Sequence, residues 1–155
     1  MRVSDHYDHL AASLAIGKKG ELGGEIYGVL NDPHLRFGRD HPTEIKIAIA
    51  RRFNECGWAD RVRVSYDGNL TVNFVKQRIG ICLQLGNVAR TYADILKLAL
   101  LGHNGVIDVG VIAVPDEVES KMLGQNYAHF NRLAKEMQLF GPIIQTPLLV
   151  LALAN

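Results

Sequence analysis

The chain has 155 residues, 48% of them hydrophobic and 21% charged, and a formal net charge of +1. That balance fits a globular protein rather than a disordered one, and the chain is long enough to bury one sizeable core. The near-zero charge excludes a globally basic nucleic-acid binder, so any DNA contact has to come from a local patch.

Residues 1–16 are compatible with a helix, and Gly17 to Gly24 breaks it, because four glycines fall in eight positions. Residues 25–30 are apolar enough for a short helix or strand. Asn31-Asp32-Pro33-His34 is a turn and Arg36 to Pro42 a polar loop. Thr43 is a candidate N-cap for a helix whose apolar face is Ile45, Ile47, Ala48, Ile49 and Phe53, and Gly57 ends it. Residues 61–66 alternate and predict a strand, Asp67-Gly68 a hairpin turn, and 70–75 the return strand. A third strand follows over 79–85, then a helix over 88–101. Residues 106–114 read as a buried strand, 124–140 as a helix and 148–153 as a last buried strand. The expected fold is α/β, a mixed sheet flanked by helices, in one domain over 1–155. Residues 1–42 read as an N-terminal extension and 43–153 as the core.

Cys56 and Cys82 make no disulfide framework and fit a reducing cytoplasm. Asp5, His6, Asp8 and His9 stand where a signal peptide needs basic residues, and the apolar end from Pro147 is far shorter than the roughly 20 residues of a spanning helix. The expectation is a cytoplasmic protein with no membrane partner. The six histidines show no H-E-x-x-H spacing, and the Gly17 region lacks the spacing of a phosphate-binding loop.

The chemistry concentrates in the second strand pair. Alternation places Asn73 on one face of its strand, and Cys82 and Gln84 share a face of the next. If the strands pair, Asn73 faces Cys82 and Gln84 at the sheet edge. Phe74-Val75-Lys76 follows the first position and Leu85-Gly86-Asn87 the last, and a helix with Tyr92, Asp94, Leu96 and Lys97 comes after. Together with the strand Asp108 to Pro115, this stretch resembles the PD-(D/E)xK restriction endonucleases, in particular the BglII/BamHI-like group. The resemblance implies a restriction-endonuclease-like core. It also implies catalytic roles at the positions of Asn73, where the group has Asp, Cys82, where it has Glu, and Gln84. Glu44, on the helix before the hairpin, matches a position that can supply a further acidic residue. The group's enzymes are homodimers acting on double-stranded DNA.

Two of those groups cannot do the family's chemistry. Mg²⁺ takes hard anionic oxygens; Asn73 offers a neutral amide and Cys82 a sulfur suited to soft metals. At an effective dielectric near 20, a unit-charge pair about 4 Å apart is worth about 4 kcal/mol. Losing both carboxylates therefore predicts hydrolysis near background and no cofactor, with Mg²⁺ only if other carboxylates have taken over. Outside the family frame, Cys82 is a small buried residue and Gln84 either a relic of the site or a bonded edge residue. Asp67 reads as a turn residue, and Asp94 as facing solvent or capping a loop.

Lys46, Arg51, Arg52, Arg61, Arg63, Lys76 and Arg78 crowd one stretch and are candidate phosphate contacts, the core set being Lys46, Arg51, Arg52, Lys76 and Arg78. The plain alternative is a solvated basic face. The leading expectation is a DNA-associated homodimer with an inactivated metal site. Its rivals are an active Mg²⁺-dependent endonuclease using Glu44 and migrated carboxylates, and a non-DNA interaction scaffold.

Overall fold

The computed structural model describes residues 1–65 and 68–155. In chain order the elements are β1 (Arg2–His9), α1 (Ala12–Gly17), α2 (Leu22–Leu30), α3 (Pro42–Glu55), β2 (Ala59–Arg63), β3 (Thr71–Lys76) and β4 (Ile79–Leu83). They continue with α4 (Val88–His103), β5 (Val109–Pro115), α5 (Glu117–Leu123), α6 (Phe130–Phe140) and β6 (Leu148–Ala154). One six-stranded sheet runs in the order β1-β6-β5-β4-β3-β2. Its centre is parallel, β4 to β5 and β5 to β6, and its flanks are antiparallel.

That topology follows from the side chains. The Val/Ile run of β5 is buried along its whole length, as a strand covered on both faces must be. One face carries Phe74, Ile81, Leu83, Val111 and Leu151 against Ile16, Ile26, Ile45, Ile49 and Phe53 of α1, α2 and α3. The other carries Cys82, Ile112 and Val150 against Ile95 and Leu98 of α4 and Leu133 and Met137 of α6. The mixed sheet between helices is the expected architecture.

Local readings shift in four places. Residues 2–9 are not helical: they form an edge strand on β6, with Arg2 opposite Ala154 and His9 opposite Leu148. Leu10 and Ala11, at φ 54° and 55°, turn the chain into the short α1. Residues 1–42 are thereby part of the same core rather than an appendage, since Ala12, Ile16, Leu22 and Ile26 pack with Ile81 and Val111. Gly23 and Gly24 do not break α2, because Leu22, Ile26, Val29 and Leu30 bury one of its faces. The N-cap of α3 is His41, not Thr43. The ring accepts from the Thr43 backbone N–H while Glu44 accepts from the His41 N–H, a reciprocal capping box. The helix expected over 124–140 begins only at Phe130, as α6, after a non-helical stretch that holds Gly124 (φ 129°) and Asn126 (φ 63°), and α5 is a helix that was not expected. Gly57, at φ 77°, follows α3 as anticipated. The Asp67 half of the expected turn lies outside the described residues.

Candidate metal-site hairpin

The β3–β4 hairpin closes through Gln77 and Arg78, both at positive φ (44° and 65°), the signature of a type I′ turn built without glycine. Phe74 pairs with Ile81, Val75 with Gly80 and Lys76 with Ile79. The same register puts Asn73 opposite Cys82. There a side chain replaces the backbone ladder: Asn73 Oδ1 accepts from the Leu83 N–H at 2.8 Å. On its other side Asn73 lies between the Asp60–Phe74 and Val62–Val72 pairs of β2 and β3, level with Arg61 at φ 46°. The hairpin opens at the residue where the resembling group carries its Asp.

Cys82 points into the core and has no exposed surface. Burial pushes its thiol pKa far up, the neighbouring Asp94 carboxylate adds to this, and the thiol stays neutral. Gln84 continues β4 by donating its backbone N–H to Ala113 O at 2.9 Å. Its side-chain Nε2 donates to Asp94 Oδ2 at 2.7 Å, with both residues buried. Lys97 Nζ lies 2.5 Å from the other carboxylate oxygen, Asp94 Oδ1, and donates to the Thr71 carbonyl at 2.8 Å.

Asp94 is thus the hub that joins β3, β4 and α4, contrary to the expectation that it faces solvent or caps a loop. The cue was present in α4, where Thr91, Asp94, Ile95, Leu98 and Leu101 follow the period of one buried face and an acid stands inside it. Lys97 carried no such cue. Its partners Thr71 and Asp94 meet only through the tertiary fold. Lys46 on α3 is half-buried near this group. Burial lowers its pKa, Arg90 lowers it further and Asp94 opposes the change.

Glu44 is not brought to the hairpin. It completes the α3 capping box and lines an open groove with Ile47, Ala48, Arg51, Arg52 and Glu55. Three of the five core basic candidates have internal partners. Arg52 holds Asp32 and the carbonyls of Gly28 and Val29, tying α3 to α2. Lys76 binds Glu25 and Cys56 O. Arg78 binds Asp108 and Gly105 O. Arg51 makes a surface pair with Glu55 at 2.8 Å, a kind of contact that contributes little.

The Arg78 guanidinium, then Lys19, holds the Asp108 carboxyl at about 2. A depressed folded pKa gives stability that is present above the ordinary carboxylate range and is lost as pH falls towards 2. Asp108 is 41% exposed, so screening keeps that contribution small. Arg78→Ala is expected to move the Asp108 midpoint up towards the ordinary value in an NMR pH titration. An unmoved midpoint would mean that the pair is absent in solution.

Among the described residues, no three His, Cys, Asp or Glu side chains gather as a metal-binding group. Nor is any helix long and apolar enough to cross a membrane.

Comparison with known proteins agrees with this fold. BglII restriction endonuclease in complex with a DNA 16-mer superposes with a TM-score of 0.83 at 12% identity, covering 100% of this chain and 77% of that one. Free BglII gives 0.79 at 14% identity, covering 100% and 80%. No curated protein matches. The profile of the family described as restriction endonuclease BglII/BglIII matches residues 5–153, and the chain belongs to that family.

Proposed function

We propose that this protein is a DNA-associated homodimer whose hairpin has lost the family's Mg²⁺ site and with it efficient nuclease activity. The observation that carries the reading is the pair at the hairpin opening. Where the family places Asp and Glu, this chain has Asn73, engaged by Leu83 N–H, and Cys82, neutral and fully buried. These donors do not fit Mg²⁺, which needs anionic oxygen. Asp94 is the one carboxylate in the group, and Lys97 and Gln84 already occupy both its oxygens. In this reading Gln84 is retained and positions Asp94, Asn73 holds the Leu83 N–H in place of the family's Asp, and Glu44 serves the helix cap.

DNA contact rests on Lys46, Arg51 and Arg90, whose charges are not committed to buried ion pairs. Arg52, Lys76 and Arg78 must give up internal partners to reach a phosphate. The homodimer is carried over from the family. Its face is the apolar groove of Tyr92, Ile95, Leu96, Phe140, Ile143 and Ile144, where Leu96 and Ile143 are 69% and 78% exposed. The free cysteines fit a reducing compartment.

The test combines a nuclease assay with DNA titration. With Mg²⁺, duplex DNA stays intact, and binding is weak and salt-sensitive. Ala at Lys46 and Arg51 flattens the slope of log affinity against log salt by about 0.9 for each phosphate no longer neutralised. Ala at Arg52, Lys76 or Arg78 changes it less. Sedimentation gives a dimer that Leu96→Asp dissociates. EDTA-sensitive cleavage abolished by Glu44→Ala favours the active endonuclease; no binding at low salt favours the scaffold.

A further inference from the structure

The cation that the family's site requires has a covalent substitute in this chain. We propose that the Lys97 ammonium occupies the position of the divalent ion, so that the hairpin carries its own cation and excludes a metal. This assignment deepens the reading of the hairpin as a former metal site and rests on it.

Nζ sits between two hard oxygens, the Asp94 carboxylate Oδ1 at 2.5 Å and the Thr71 main-chain carbonyl at 2.8 Å. A carboxylate and a carbonyl from separate elements, converging on one point, are donors a hard cation takes. The Lys97 side chain is 16% exposed and that of Asp94 7%, so the ammonium is held in the fold and not swinging in solvent. The second carboxylate oxygen is fixed by Gln84, which orients the acid towards Lys97. Thr71 lies two residues before Asn73 on β3, and Gln84 lies two after Cys82, just past the end of β4, so the site straddles the same hairpin opening. Asp94 and Lys97 are separated by three positions on α4, which lets one helical turn deliver both charges.

The substitution is consistent with the changes at Asn73 and Cys82. A dication carries two charges that one carboxylate does not neutralise, whereas a single ammonium balances Asp94 alone. With Lys97 in place, anionic residues at positions 73 and 82 would have no counter-charge. The ammonium also repels any divalent ion that approaches Asp94.

Mn²⁺ is the probe, added without DNA, with the free ion followed by electron paramagnetic resonance. Wild type is expected to leave the Mn²⁺ signal unchanged at millimolar metal. Lys97→Met, which keeps chain length and loses the charge, is expected to take up one Mn²⁺ per chain, at least about tenfold more tightly than wild type. Asp94→Asn combined with Lys97→Met removes both charges and is expected to take up none. If Lys97→Met alone does not fold, Mn²⁺ should restore its cooperative melt, and failure to do so counts against the proposal. Uptake by wild type equal to that of Lys97→Met, or no uptake by a folded Lys97→Met, overturns it. Because no DNA is present, failure of the DNA-binding reading leaves this outcome unaffected.

Discussion

Asn73→Asp together with Cys82→Glu is expected to restore divalent-metal binding, because the two added charges outnumber the single Lys97 ammonium, and most strongly when Lys97→Met also vacates the cation position; each single substitution does much less. The two positions lie on adjacent strands just past the last paired residues, Phe74 and Ile81, and two carboxylates on one ion act as a coupled pair. Asp94 lies beside Cys82 and adds a third charge. The gain comes with a stability penalty. Position 82 has no exposed surface and packs with Ile95 and Leu98, so a larger side chain there costs about 1–3 kcal/mol from overpacking alone. Its charge, beside Asp94 and the new carboxylate at position 73, adds desolvation and like-charge repulsion. The metal-free double variant should therefore melt well below wild type and recover with Mn²⁺ or Mg²⁺. Calorimetric metal titration and thermal melts of wild type, both singles and the double decide the matter. A folded double variant that binds metal no better than wild type would remove these positions from any former metal site.

Lys97→Ala is expected to destabilise the fold by about 3 kcal/mol, the cost of leaving one buried charge of a pair without its partner. For a chain of this size that lowers the melting temperature by roughly 6–12 °C. Asp94 is only 5% exposed and retains Gln84 as its remaining partner. Asp94→Asn with Lys97→Met should recover most of the loss, since removing both charges leaves no orphan. Chemical denaturation of the single and double variants gives the comparison. A Lys97→Ala loss below about 1 kcal/mol would place the pair with ordinary surface ion pairs.

The strands of the hairpin were legible in the sequence, but not every face was: Phe74 packs in one core cluster and Val72 and Val75 in the other, so alternation breaks at Asn73. Asn73, Cys82 and Gln84 needed only correct strands to be placed near one another. The first strand was not legible. Arg2–His9 is an edge strand whose partner is β6 alone, so most of its residues are exposed and it has little apolar alternation to read. The periodic run after Leu10 could be extended upstream without contradiction, and the reversal at Leu10 and Ala11 has no glycine to announce it. Helix α5 begins at an Asp116 cap that the sequence contains, but a longer apolar pattern downstream obscured it. The basic cluster misled for a different reason. Charge spacing shows where cations lie along the chain, whereas Arg52, Lys76 and Arg78 find Asp32, Glu25 and Asp108 only after folding. Lys97 was hidden likewise, because nothing local distinguishes it from a solvated helix lysine.

The pairing of β1 with β6 sets a schedule for biosynthesis. Arg2 finds Ala154, and His9 finds Leu148, so the first strand has no edge to join until its neighbour β6, far along the chain, has left the ribosome. At ~5–20 residues per second, that wait is roughly seven to thirty seconds. During it the apolar sides of α1 and α2 lack the β6 part of their cover, since Leu149 and Leu151 belong to the cluster they pack on. A nascent chain stalled before Leu148 would therefore present both a strand without a neighbour and an open apolar face, the features that holding chaperones bind.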